Sequence, residues 1–222
     1  MAASKSRDQR IGEPRWPAVI ALLAVGCLWL ALPERLSIGP VWLLLAIVFV
    51  LLIPIVFSHR RGLNKLNRFL SLVANSVITL AMISALIFLV EGLPTHREDP
   101  KALLHAAGLL WISNVLVFAL WYWKLDAGGP HERDRRVGQL NSSFLFPQML
   151  KPENPGPEME RKSSVWTPHF VDYLFLAFNT STAFSPTDTA ALSRSAKLGM
   201  MTQALISLAI VVLLAARGVG IL

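Results

Sequence analysis

Asp172 lies six residues into an apolar stretch that begins at Trp166. An ionisable side chain inside a membrane-spanning stretch costs about 2.5–3.5 kcal/mol at its centre, so it marks a proton or cation pathway or a polar contact with another helix. Asn179 stands seven residues further on. That spacing is close to two helical turns, so both side chains share a face, with Thr182 within a quadrant of them. In the last apolar stretch, Ser195, Gly199, Gln203 and Ser207 follow an i, i+4 stripe. Asn75 and Asn114 are the buried-amide candidates of two further stretches, six and nine residues from their ends. The expectation is that Asp172, Asn75 and Asn114 share one layer, and that Asp172, Asn179, Thr182 and Gln203 line a polar path. The alternative for Asp172 is a position at headgroup depth, in the second turn of a helix capped by Thr167 with Pro168 first, where it would favour the helix dipole.

Other chemistry is absent from the pattern. The five His have no metal-ligand spacing, and Cys27 is alone. No nucleophile stands beside a base, and no carboxylates pair. Catalytic, cofactor and metal residues are therefore not expected, and the chain is read as a non-enzyme.

The elements that must position these residues follow from composition. Only 16% of residues are charged, 54% are hydrophobic, and mean hydropathy is +0.51. Soluble domains carry about 25% charge. A spanning helix needs about 20 apolar residues, range 17–25. Six stretches qualify: 16–32, 41–57, 69–90, 103–123, 166–184 and 198–216. The first has a basic flank but no A-x-A site, so it is read as a retained helix and not a cleaved signal. The fold expected is all-α, a polytopic transmembrane bundle of about six spans. Residues 1–123 form a four-helix region, 124–165 a cytoplasmic loop, and 166–222 a C-terminal hairpin.

The net charge of +7 suits cytoplasmic loops better than nucleic acid. With six spans, alternate compartments hold 16 and 5 of the 21 Lys and Arg, which puts both termini in the cytoplasm. Trp16, Trp42, Trp121, Trp123 and Trp166 fall at expected helix ends, as interfacial rings do. In the loop, Gly128, Gly129 and Pro130 stop the fourth helix. "SSFLFPQML" is too short to span and is expected at the membrane surface or packed under the bundle. Glu132, Asp134, Glu158 and Glu160 alternate with Arg and Lys and read as a solvated face.

Between the last two stretches lies "FNTSTAFSPTDT", eight of whose twelve residues are Ser, Thr, Asn or Asp. Structurally, Thr180, Ser181 and Thr182 can bond to their own helix or a neighbour, and Thr189 or Ser193 can cap the last helix. Functionally, the strip can line a permeation or binding cleft.

The layout from Trp166 to Gly220, an aromatic-rich helix, a Thr-rich strip, a Pro/Asp turn and a long apolar helix, resembles the pore region of two-helix potassium channels. It departs from them where it matters for selectivity. Their filters read T-V-G-Y-G, and glycine tolerates the backbone angles required. Phe184 and Pro186 fill both glycine positions here, so potassium selectivity is not expected. "FALWYWKLDAGGP" (118–130), "FLFPQM" (144–149) and "FVDYLFLAFNTSTAFSPTDT" (170–189) resemble a group of uncharacterised prokaryotic multi-pass membrane proteins. That resemblance implies a bacterial inner-membrane protein with the same six-helix layout, and no activity.

Two functions remain at this stage: an ion or small-solute transport or channel-like protein with a degenerate pore, or a non-transporting scaffold or assembly factor working through its cytoplasmic loop. The expected partners are the lipid bilayer and, as a candidate, a second copy in a homo-oligomer; nucleic acid is not one.

Overall fold

In the computed structural model, residues 13–92, 100–135, 142–150, 166–182 and 188–218 are described. The chain is all-α. Helices α1 (Trp16–Leu30), α2 (Trp42–Arg60), α3 (Asn64–Glu91) and α4 (Pro100–Leu125) run up and down beside one another. A short α5 (Pro130–Arg135) follows, then a two-residue strand β1 (Phe144–Leu145). Next come α6 (Phe170–Thr182), a second short strand β2 (Ala190–Ala191) and α7 (Arg194–Gly218). Side-chain contacts fix the directions. Arg15 meets His59, so α1 begins where α2 ends. Asn67 donates to the Ile55 carbonyl, so α3 begins there too. Lys124 donates to the Ser71 carbonyl, which brings the end of α4 back to the same end of the bundle. Asp126 stands at this end, the Asp126 end of the bundle.

Helices α2, α3, α4 and α7 are long and apolar enough to cross a membrane, and α1 is a shorter apolar helix. The expected six spans are therefore about four. The main correction is to the stretch 166–184. Its helix, α6, has 13 residues and rises only about 20 Å, short of the roughly 30 Å hydrocarbon core.

Its flanks also lie at one end. Tyr173, in the first turns of α6, donates to Asp126 just past α4. After α6 the chain is back at that end by β2, because Ala191 pairs with Phe144 and Leu192 N–H donates to the Ser143 carbonyl. The other tip of α6 lies deep in the bundle: Phe178 packs edge-on against Trp111, halfway along α4. Thus α6 enters from the Asp126 end, reaches about mid-depth, and the chain returns to where it entered. Residues 190–192 therefore lie at the Asp126 end, not at the opposite end that a full crossing by 166–184 requires. Helix α1 begins at the Asp126 end, and α7, antiparallel to α4, runs away from it.

Labelling tests this arrangement. In a Cys27→Ser background, Gln148→Cys and Asp188→Cys, both exposed, should react with an impermeant thiol reagent from the same side. Ile38→Cys, in the α1–α2 turn, should react from the other. Reaction of Gln148→Cys and Asp188→Cys from opposite sides would restore a full crossing by α6.

The core is continuous through α1, α3, α4 and α6, from Val25 and Ile78 to Leu120, Tyr173 and Leu176. Trp16 and Trp42 are exposed at helix ends, as interfacial rings should be. Trp121 and Trp123 instead turn inward and donate to Thr79 Oγ1 and Glu13 Oε1. Of the two alternatives for 142–150, packing under the bundle holds: Phe144 and Phe146 are buried against Tyr173, at ring-centroid distances of 6.3 and 5.5 Å.

Candidate functional site: a half-depth hairpin tied by buried polar groups

A helix that stops inside a bundle leaves its last carbonyls without intrahelical partners. Away from water each unmet group costs several kcal/mol. The sequence answers with side chains from α7. Ser207 Oγ donates to the Ser181 carbonyl at 2.7 Å. Gln203 Nε2 donates to the Ala177 carbonyl (2.7 Å) and to Ser181 Oγ (2.8 Å). Gln203 Oε1 accepts from the Tyr122 hydroxyl of α4 at 2.5 Å, and Asn114 Nδ2 donates to the Gln203 carbonyl at 3.3 Å. Trp111 Nε1 reaches Ser207 Oγ at 3.2 Å. One fully buried amide, Gln203, therefore joins α4, α6 and α7. At Gly199 the helices run close: a Cβ there would stand 3.4 Å from the Tyr122 ring, in ordinary contact. The stripe seen in the sequence is a packing seam from Gly199 to Ser207, while Ser195 at its start is exposed and lies 3.0 Å from Ser193 Oγ.

The mouth of the hairpin is held by a second hub. Asp126 is fully buried. Its carboxylate accepts from the Ser143 N–H and the Tyr173 hydroxyl, each at 2.5 Å, and Ser142 Oγ lies 2.9 and 3.0 Å from its two oxygens. It thus ties the end of α4 to the strand before β2 and to α6. Burial pushes the Tyr173 phenol far above its usual range; Arg133 opposes the rise and Asp126 adds to it, so the phenol stays a donor.

Arg133 is also buried. Its Nη1 donates at 2.8 Å to the Trp123 carbonyl, an orphan of the last turn of α4, and at 3.0 Å to the Asp126 carbonyl, which also accepts the Gly129 N–H; its Nη2 pairs with Glu13 at 2.9 Å. The guanidinium carbon stands 5.1 Å from the centre of the Tyr173 ring. The turn that brings Arg133 back requires left-handed backbone at Ala127, Gly128 and Gly129. At Gly129 a Cβ would also meet the Lys124 carbonyl oxygen at 3.0 Å.

The six residues singled out in the sequence divide. Gln203 and Asn114 come together as described. Asn75 is fully buried, but its side-chain amide makes no hydrogen bond and lies on α3, apart from them. Asp172 does not share their layer. It is the third residue of α6, half-buried, and its Oδ2 accepts from the His169 N–H at 2.7 Å. That is the reciprocal half of a capping box, on a helix end that favours negative charge. The alternative reading of Asp172 therefore describes it, with His169 in place of Thr167 as the cap. Thr182 is exposed and bonds back to the Phe178 carbonyl; Asn179 is half-buried on the same turn. Ser193 caps α7 through the Ala196 N–H. Ala183, Phe184, Ser185, Pro186 and Thr187 lie outside the described residues, and so does the comparison of filter positions.

Asp126, Arg133 and Glu13 were not singled out, and "HERDRR" was read as solvated. Segments 118–130, 144–149 and 170–189 nonetheless meet here through Tyr173, which donates to Asp126 and packs its ring against Phe144 and Phe146. Compared with protein-family models, curated proteins and solved structures, the chain matches none.

Proposed function

We propose that the chain is a multi-pass protein of a bacterial inner membrane whose α6–α7 hairpins, from several copies, surround a path for a small cation. The observation that carries this reading is the half-depth helix. A helix end carries roughly half a negative charge on its free carbonyls. Ended in mid-membrane, those carbonyls favour a cation, as the C-terminal ends of broken helices do in transporters. Here the Thr182 end of α6 is that end, anchored at Ser181 by Gln203 and Ser207. The same hairpin leaves Phe175 and Phe178 of α6, and Leu198, Met201 and Leu205 of α7, exposed. A second copy covers this face.

Charge supports the orientation. With α6 not crossing, and α1 counted as crossing, only Arg35, Arg97, Lys101 and Arg217 fall on the far side, and the other seventeen Lys and Arg on the Asp126 side. The Asp126 side is then cytoplasmic, with the tail outside. The hairpin opens to the cytoplasm.

The scaffold reading is weaker, because Phe144 and Phe146 of the loop are buried in the bundle and not offered to a partner.

Reconstituted protein should pass sodium and potassium alike, with chloride excluded, because Phe184 and Pro186 stand at the filter glycines. Gln203→Leu should abolish the flux while the protein remains in the membrane. Intact oligomers with no cation flux would overturn the proposal in favour of the scaffold. A clear potassium preference would sink the argument from the missing glycines.

A further inference from the structure

Beside the hairpin, and independent of any cation path, α1, α2, α3 and α4 enclose a cavity of about 380 Å³ at the Asp126 end. Pockets for small molecules run from roughly 300 to 1,000 Å³. Its walls are of two kinds. Val19, Leu22, Leu52 and Leu72 form an apolar side between the helices, and Arg15, Arg60, Lys65, Arg68 and Lys124 line it with positive charge. Glu132 is its single carboxylate among the described residues. The cations come from four helices or their flanks: Arg15 before α1, Arg60 at the end of α2, Lys65 and Arg68 in the first turns of α3, and Lys124 at the end of α4. Lys124 is aimed inward, its ammonium held at 2.6 Å by the Ser71 carbonyl, and both residues line the cavity.

An apolar slot edged by basic side chains, Arg15, Arg60, Lys65 and Arg68 foremost, at the end of a membrane helix bundle is complementary to one kind of molecule, a negatively charged headgroup carrying an acyl chain. Basic pockets between transmembrane helices bind lipid headgroups by this chemistry. We infer that the cavity formed by α1–α4 is a binding site for an anionic phospholipid, whose phosphate sits among Arg15, Arg60, Lys65 and Arg68 and whose acyl chain lies along Leu22 and Leu52.

The test uses the full chain in an uncharged detergent, with thermal melting and native mass spectrometry as readouts. Phosphatidylglycerol should raise the melting temperature and remain bound. Phosphatidylcholine with the same chains should do neither, and inorganic phosphate should reproduce little of the effect. Lys65 and Arg68 are exposed, so Lys65→Gln with Arg68→Gln should fold normally. At about fivefold for each cation removed, the pair should weaken phosphatidylglycerol binding roughly 25-fold. Lys65→Arg with Arg68→Lys should keep it. Equal stabilisation by phosphatidylcholine, or unchanged binding in the Gln pair, overturns the inference. Full stabilisation by inorganic phosphate alone overturns the lipid and assigns the cavity to a free anion.

Discussion

Asp126→Ala is expected to lower the melting temperature in detergent by roughly 10 °C. The side chain is fully buried and joins three segments that are far apart in sequence. Removing it strands the Ser143 N–H and the Tyr173 hydroxyl, and each stranded buried group costs about 1–3 kcal/mol. For a chain of this size a kcal/mol is worth about 2–4 °C. Ser142 suffers less, because its hydroxyl also lies 2.7 Å from the Phe144 carbonyl. Tyr173→Phe removes one donor and leaves the carboxylate its other two, so its loss should be about a third of that. Asp126→Asn keeps one acceptor oxygen and should fall between. The order Ala, Asn, Phe is the signature of a hub. In the Ala variant the hairpin should also come loose at its mouth, so Asp188→Cys should react faster. A variant melting within 2 °C of the parent, with Asp188→Cys no more reactive, would mean that Asp126 does not hold the hairpin.

Much of the fold was legible because four helices announce themselves by length alone. The apolar runs at 41–57, 69–90, 103–123 and 198–216 each lie within a few residues of α2, α3, α4 and α7. The run at 166–184 misled for a physical reason. Hydropathy reports what a residue leaves water for, and a half-depth helix and a spanning helix leave water for similar surroundings. The signs that separate them were present. Pro168 fixes the start, Asp172 caps it, and hydroxyls crowd the end, which leaves only 13 helical residues between them. A stretch that short is more often re-entrant than spanning. The hydroxyls of Ser181 and Ser207 answer the question of why so apolar a chain carries them: the first receives Gln203, and the second takes up a carbonyl that the helix leaves free.

The site was legible in part. Gln203 and Asn114 were recognisable because a polar residue inside a spanning run has to be answered by another. Asp126 and Arg133 were not, because they stand just past the end of α4, where charge is ordinary and no rule of depth applies. What buries them is tertiary: β1 and α6 close over the end of the bundle. The only local hint is the Ala127-Gly128-Gly129 turn, whose left-handed backbone sends the chain back upon the helix it has just left.

Arg133 gives the second large effect, and its sign depends on what is left behind. Arg133→Met removes the cation from a pair in which both side chains are almost wholly buried, 2% and 6% exposed. Breaking a buried pair from one side costs about 3–5 kcal/mol, because the remaining charge loses its counter-ion. Here Glu13 would lose its guanidinium counter-ion and keep the Trp123 indole. The Trp123 and Asp126 carbonyls would lose the donor that closes the end of α4. Glu13→Gln should cost less, since Arg133 keeps both carbonyls and the amide can still accept. Combining Glu13→Gln with Arg133→Met removes the buried carboxylate whose counter-ion has gone, so the double variant should melt above Arg133→Met alone. The coupling in that cycle should be about 1 kcal/mol or more, inside the roughly 0.5–3 kcal/mol range for residues in one network. Arg133→Lys discriminates further: an ammonium can pair with Glu13 but cannot span two carbonyls and a carboxylate as the planar guanidinium does. It should recover less than half of the loss. A double variant as unstable as the two single losses added together would show that Glu13 and Arg133 act independently. The end of α4 would then be closed by the Arg133 bonds to the carbonyls alone.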